Sequence, residues 1–450
     1  MNAARLDWVA RRGRPLHGSL RVPGDKSVSH RAIMLGALAE GITRISGFLE
    51  GEDTRATAQV FRQLGVRIET PSANERIVHG VGLGGLGGSA EPVECGNAGT
   101  DKRPHGGVLA GQSFDSVLTG DASLSRRPMR RVIEPLGRMG AVIGSEAGGL
   151  PPLRIQGGRR MRGLDYTLPV ASAQVKSALL LAGLYADGET VVREPHPTRD
   201  YSERMLAAFG WPIEFSPGFA RLSGGHRLRG RDVAVPADFS SAAFFLVAAS
   251  IVPGSELRLE AVGMNPRRTG LLTALRRMGA DIREENAAEQ GGEPVADLLV
   301  RYAPLHGIEI GGELVPDMID EFPALFVAAA CAQGVTVIRD ASELRVKESD
   351  RIAAMAGGLR VLGLEVEEHP DGATIVPGRM SGGTIDSRGD HRIAMSFAVA
   401  AQRADGDVRI GDIANVATSF PGFDTSSRQV GMQLDAGSET VASSRFTDAG

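Results

Sequence analysis

The chain has 450 residues, 42% of them hydrophobic and 23% charged, which are the proportions of a globular protein too long for one ordinary core, so two or three domains are expected. A formal net charge of −4 argues against nucleic acid or an anionic membrane as the main partner. Cys95 and Cys331 are far apart and make neither a disulfide framework nor a metal site, and no apolar run is long enough for a membrane span.

Residues 1–16 are rich in arginine but lack the apolar stretch of a signal peptide, so a cytoplasmic location is expected. Gly24-Asp-Lys-Ser-Val-Ser-His-Arg31 reads as a capped helix start, with free backbone N–H groups and a positive dipole end that suit an anion. If the helix begins near Ser27, then Ser27 and Arg31 share a face and Lys26 stands at its mouth. Gly82 to Gly88 lacks the strand-to-helix context of a nucleotide loop and reads as a flexible turn. Gly120-Asp-Ala-Ser-Leu-Ser-Arg-Arg127 repeats the first motif, and Pro236 to Ser241 echoes it ahead of an apolar helix. Thr198-Arg199-Asp200 offers a further anion clamp. Polar residues 284–293 and the Gly/Ser segment 379–389 read as loops. Asp320 directly precedes an apolar helix at 324–332; an acid there is ordinarily an N-cap, although it could be a general base facing a cleft. In Lys347-Glu-Ser-Asp-Arg351 a helix would put Lys347 and Arg351 on one face with Glu348 at its edge, an acid between two cations. Residues 436–450 are small and polar and are expected to fray. Only four of the 50 lysines and arginines are lysine, and Lys26, Lys176 and Lys347 all fall in motif-like segments. Where arginine serves most other cationic positions, a retained lysine marks a need for a compact ammonium.

One pattern recurs along the whole chain. It appears as Phe61-Arg-Gln-Leu-Gly65-Val-Arg-Ile68, Leu136-Gly-Arg-Met-Gly140-Ala-Val-Ile143, Leu206-Ala-Ala-Phe-Gly210-Trp-Pro-Ile213, Leu275-Arg-Arg-Met-Gly279-Ala-Asp-Ile282 and Leu359-Arg-Val-Leu-Gly363-Leu-Glu-Val366, with a degraded copy at Ser427-Arg-Gln-Val-Gly431-Met-Gln-Leu434. Apolar residues at i and i+3 mark a buried helical stripe, glycine ends the helix, and alternation afterwards begins a strand. Six units suggest two lobes of three. One lobe would comprise 1–22 with 239–435, the other 23–238. The chain would cross between them twice, near Val22-Pro23 and Val235-Pro236, with a cleft between the lobes.

The combined motifs Gly24 to Arg31, Gly96-Asn-Ala-Gly-Thr100, Arg127-Pro-Met-Arg130, Ser172-Ala-Gln-Val-Lys176, Arg345 to Arg351 and Gly389-Asp-His-Arg-Ile-Ala-Met395 resemble the 5-enolpyruvylshikimate-3-phosphate synthase family over about residues 14–435. The resemblance implies an α/β fold of two lobes, each of three βαβαββ units. It also implies transfer of the enolpyruvyl group of phosphoenolpyruvate to the 5-hydroxyl of shikimate 3-phosphate, with no cofactor and no metal. Matched residue by residue, it assigns phosphoenolpyruvate to Lys26, Gly99, Arg127, Gln174, Arg351 and Arg392. It assigns shikimate 3-phosphate to Lys26, Ser27, Arg31, Ser172, Ala173 (by backbone), Gln174, Arg199, Asp320 and Lys347. The catalytic residues would be Lys26, Asp320 as base and Glu348 as proton donor. The expected partners are these two small molecules alone, bound by a monomer. Alternatives are an impaired homologue that only binds shikimate 3-phosphate, and the related transferase acting on a UDP-amino sugar. The latter commonly uses a loop cysteine as acid, and neither Cys95 nor Cys331 lies in such a loop.

The sequence departs from the family pattern at Asp101-Lys-Arg-Pro-His-Gly-Gly107, where an apolar helix is usual. Lys102, His105, Gly106 and Gly107 predict a loose helix start, which apolar residues, alanine or leucine would tighten. Ser426 and Ser427 stand where the last helix should bury apolar side chains. Tyr201 and Arg267 differ from the signature of the glyphosate-tolerant subclass, whereas Gly99 resembles the sensitive one.

Overall fold

All six repeat glycines end helices in the left-handed conformation, at φ of 85° to 106°. The residue after each glycine donates its N–H to a carbonyl in the last helical turn: Val66 to Phe61, Ala141 to Leu136, Trp211 to Leu206, Ala280 to Leu275, Leu364 to Leu359 and Met432 to Ser427, at 2.9–3.0 Å. The hydrogen-bond pattern needs a positive φ at the glycine, which a side chain would strain. Even the degraded sixth copy therefore keeps its geometry.

The computed structural model describes residues 6–95, 99–120 and 128–437, with backbone alone at 99–102. Within these residues the helices are α1 (Lys26–Leu38), α2 (Glu52–Gln63), α3 (Gly99–Ala110), α4 (Arg130–Arg138), α5 (Ala173–Gly183), α6 (Tyr201–Ala208), α7 (Phe239–Ile251), α8 (Gly270–Arg277), α9 (Phe322–Ala330), α10 (Arg351–Val361), α11 (His391–Ala401) and α12 (Phe423–Gln429). No described helix is long and apolar enough to cross a membrane.

Six four-stranded sheets accompany the helices, one per unit. Each contains one parallel strand pair; in five of them the other two strands form an antiparallel hairpin, and in the sixth the antiparallel pairing is made by a strand from the start of the chain. In the second unit, Val93–Glu94 runs parallel to Ser116–Thr119, which pairs with Leu150–Gln156 and, beyond it, Val142–Glu146. Three units borrow a strand from a remote part of the chain. Asp232–Ala234 completes the first sheet beside Glu40–Ser46, His17–Leu20 completes the fourth beside Glu256–Gly263, and Trp8–Arg11 lies between Val408–Gly411 and Gln433–Ala436 in the sixth.

Two hydrophobic cores result. One draws on residues between Val28 and Val235, the other on Trp8 to Val22 together with Ala237 to Leu434. The odd-numbered helices are enclosed by these cores; every residue of α7 and α9 is buried. Such a helix is apolar all round and has no solvent face. The two crossing segments run side by side. Asp25 N–H donates to the Pro236 carbonyl and Asp238 N–H to the Pro23 carbonyl, both at 2.8 Å. Gly24 lies so close to the Gly47 carbonyl that a methyl group there would collide with it.

The loop expected at 284–293 is instead strand. Asp281–Gln290 and Glu293–Arg301 form a long hairpin turned by Gly291 and Gly292, at φ of 63° and 90°. The polar residues lie on the outer half of its first strand, which meets solvent on both faces, whereas Glu293, Val295 and Ala296 of the second strand are buried; the segment is polar, not without a ladder. The tip lies against the Ala234 carbonyl and α6, which belong to the other core. Within 379–389, Gly383–Asp386 is likewise a strand.

Candidate active site

Helices α1, α10 and α11 begin with capping acids. Asp25 accepts the Val28 N–H at 2.8 Å, Asp350 the Ala353 N–H at 3.0 Å and Asp390 the Arg392 N–H at 2.9 Å. These caps leave the next residues at the helix mouths. Lys26, the first residue of α1, pairs with Asp53 of α2. Arg31 turns inward: its Nε donates to Ser202 Oγ at 2.8 Å, and its two terminal nitrogens to Ser177 Oγ at 2.9 Å and the Ser27 carbonyl at 3.0 Å. On α5, Ser172 is the N-cap, accepting from Val175 N–H at 3.4 Å, and Gln174 accepts a hydrogen bond from Arg103 of α3. Thus Ser172, Ala173 and Gln174 share one helix start, beside α3.

Across from them, Asp320 is the centre of a cationic ring. Arg199 pairs with it from the other lobe, Arg351 lies at 3.3 Å, Arg268 at 3.5 Å, and Arg392 donates to its backbone carbonyl at 3.0 Å. Burial pushes the Asp320 carboxyl up, but Arg199, Arg392, Lys347 and Arg351 outweigh it and hold the pKa well below the usual carboxylate range. The N-cap alternative fails. Residue 321 occupies that position, without a side-chain cap, and the Asp320 carboxylate faces the arginines.

Glu348 accepts from Arg351 at 2.6 Å. Burial raises its pKa, yet Arg351 and then His391 bring the net shift below the usual range, so the group is ionised. Arg351 is fully buried and also donates to Asp390 at 2.9 Å. Burial and the adjacent Arg392 press His391 down to about 4, so its ring is neutral at pH 7. The shared helical face expected for Lys347 and Arg351 does not form. Lys347 follows a 3-10 turn over Ser342–Val346 in extended conformation, and α10 begins only at Arg351. Asp350 would rather cap than continue a helix, which is why the break falls there. Lys347 pairs with Glu343 at 2.7 Å.

Arg127 lies outside the described residues, and of Gly99 only the backbone is described, as the first residue of α3. The looseness expected of α3 is not what its described part shows. His105 is buried with its ring centroid 5.7 Å from that of Phe61, and a methyl at Gly107 would collide with the Ala178 carbonyl of α5. Gly107, which would weaken an isolated helix, here permits the close approach of α5, and His105 packs against α2.

Several participants escape sequence reasoning. Arg268 is buried within reach of Asp238, Asp320, Glu321 and Ser240. In a chain so rich in arginine nothing singles it out. Asp53 lies in no motif, and Asp390 sits inside Gly389 to Met395 without a role that its sequence assigns. Together the ring is a set of cations neutralised by their own carboxylates, able to exchange those partners for the anionic groups of ligands, with a base and a second carboxylate joined through Arg351.

A model of the EPSP synthase (3-phosphoshikimate 1-carboxyvinyltransferase) family matches residues 10–426. The chain is 67% identical over 435 residues to a 3-phosphoshikimate 1-carboxyvinyltransferase of Xanthomonas axonopodis pv. citri (strain 306), covering 97% of this chain and 99% of that one. It is 68% identical over 436 residues to that of Xanthomonas oryzae pv. oryzae (strain PXO99A), with 97% and 99% covered. Among solved structures, EPSP synthase from Acinetobacter baumannii matches with a TM-score of 0.90 at 50% identity, over 96% of this chain and 100% of that one. The enolpyruvyl transferase NikO from Streptomyces tendae matches with a TM-score of 0.77 at 18% identity, covering 97% of this chain and 99% of that one, a likeness of fold alone.

Proposed function

From the chain's membership of the EPSP synthase family, which these matches establish, we propose how its cleft divides the work of that family's reaction. The enzyme transfers the enolpyruvyl group of phosphoenolpyruvate to the 5-hydroxyl of shikimate 3-phosphate and releases phosphate. These relatives support that activity and not an impaired or UDP-amino-sugar-specific homologue.

The observation that carries the residue assignment is the Asp320–Arg351–Glu348 arrangement, two carboxylates sharing one buried guanidinium. In the proposed addition step the 5-hydroxyl oxygen bonds to C2 of phosphoenolpyruvate. Asp320, ionised, takes the hydroxyl proton while Glu348 delivers a proton to the C3 methylene. The resulting tetrahedral adduct then loses a C3 proton and phosphate, restoring the double bond. Glu348 is ionised opposite Arg351 in the free protein, so it must first gain a proton. Anionic phosphoenolpyruvate drawing on Arg351 removes the charge that opposes this gain. Lys26, Gly99, Arg127, Gln174, Arg351 and Arg392 would bind phosphoenolpyruvate. Ser27, Ser172, Ala173, Gln174, Arg199 and Lys347 would bind shikimate 3-phosphate together with Lys26 and Asp320. Arg31 is better suited to bracing α1 against α5 and α6 than to touching ligand, given its inward hydrogen bonds. Residues 1–22 with 239–435 would move as one body and 23–238 as the other, closing to exclude water. A cytoplasmic monomer remains the expectation. Phosphate release by the purified protein tests the activity. It should require both substrates, and release with a UDP-amino sugar in place of shikimate 3-phosphate would overturn the reading.

A further inference from the structure

Lys176 lies on the second turn of α5 and is buried, with its ammonium 2.7 Å from Glu194 and 2.8 Å from Glu203. A compact ammonium with three donors can serve two carboxylates in so closed a space, where a planar guanidinium would need more room. Removing it would leave buried carboxylates without their cation. Burial pushes the Glu203 carboxyl up, which marks how much the pair depends on that lysine.

Glu194 also holds the five-residue segment that it begins. Its carboxylate accepts the Thr198 N–H at 3.2 Å and the Thr198 hydroxyl, closing Glu194-Pro195-His196-Pro197-Thr198 on itself. Arg199 comes next and reaches Asp320 in the opposite lobe. Asp200 is fixed in turn by Arg204 at 2.9 Å and Asn265 at 2.7 Å. Meanwhile the Lys176 N–H donates to the Ser172 carbonyl at 3.0 Å, placing the lysine one turn below the helix start formed by Ser172, Ala173 and Gln174.

We infer that Lys176 is a positioning residue for the shikimate 3-phosphate site: through Glu194 and Thr198 it sets Arg199 in register with the first turn of α5. This rests on the proposal that Arg199 and that helix start bind shikimate 3-phosphate. Lys176 touches no substrate; it joins the two elements that do.

Steady-state kinetics on four variants test it. Lys176→Met and Thr198→Val should each raise the KM for shikimate 3-phosphate about tenfold, with the KM for phosphoenolpyruvate and kcat within about twofold. Thr198→Ser, which restores the hydroxyl, should return the KM to normal. Arg199→Ala tests the underlying assignment and should raise the same KM at least as far. Thr198→Val leaves both buried ion pairs in place, so it decides the matter even if Lys176→Met does not fold. If Arg199→Ala raises the KM and Thr198→Val leaves it unchanged, the positioning role is wrong while the substrate assignment stands. If Arg199→Ala leaves it unchanged, the assignment falls and the inference with it. An equal loss in kcat and both KM values would reduce Lys176 to a fold-stabilising residue and also overturn the inference.

Discussion

Asp320 stays ionised in a buried setting because arginines from both lobes and Lys347 surround it. Asp320→Asn and Glu348→Gln preserve shape but remove proton transfer, so each should lower kcat by roughly 10²-fold or more. Equilibrium binding of shikimate 3-phosphate, followed by calorimetry, should stay within a few-fold in both. A second acid behaves in the opposite sense. Glu293, beside the turn at the tip of the long hairpin, is buried and bonded at 2.9 Å to Asn265, whose amide also reaches Asp200. Burial raises its pKa from 4.5 to about 8. Between these values the native protein keeps a proton that the unfolded chain has lost, so stability falls as pH rises, by about 1.4 kcal/mol per unit for one proton. The effect vanishes below the lower value and is complete above the upper. Glu293→Gln should flatten the decline in denaturant stability between pH 5 and 8, while an unchanged slope would assign that decline elsewhere. Glu348 and Arg351 were legible in the sequence because they sit in a motif, and Asp320 because it is an acid directly before an apolar helix. Arg268 and Glu293 were not, because what distinguishes them is the burial that tertiary contact imposes.

At the scale of elements, the six glycine junctions were readable because a single backbone requirement, φ > 0, repeats at similar spacing. The strand Asp281–Gln290 was not, since its outer half is exposed on both faces and has no alternation to betray it. The helix α3 shows the same limit from the other side. Its adjacent glycines look equivalent in sequence, yet Gly106 faces open space while Gly107 packs against the Ala178 carbonyl. Gly106→Ala should therefore raise stability by up to about 1 kcal/mol through helix propensity. Gly107→Ala should lower it by roughly 1–3 kcal/mol through overpacking, as chemical denaturation would read. In α12, Ser427 fills the position that Phe61, Leu136, Leu206, Leu275 and Leu359 hold in the other repeats. It is fully buried, and its hydroxyl has no hydrogen-bond partner among the described residues. Ser427→Ala should stabilise the protein by about 1 kcal/mol, because it deletes an unsatisfied polar group. A loss of stability would mean that the hydroxyl has a water partner.

For the whole molecule, the paired crossings at Pro23 and Pro236 make a narrow connection between two separate cores. Saturating shikimate 3-phosphate should shrink the radius of gyration measured by small-angle scattering, and no change at saturation would count against lobe closure. The two-lobe organisation was legible because six repeats divide naturally into threes. What the repeats do not announce is which sheets borrow strands, since a four-residue strand such as Trp8–Arg11 has no local signature strong enough to name its partners. That borrowing sets an order of events during synthesis. The core built from residues 28–235 is encoded by one uninterrupted stretch, so everything it needs leaves the ribosome together. The strand Trp8–Arg11, among the first residues made, must wait about 400 residues for both neighbours in its sheet. Nascent chains therefore pass through a long interval with one lobe complete and the strand Trp8–Arg11 still unpaired at its threshold, whereas His17–Leu20 meets Glu256–Gly263 soon after.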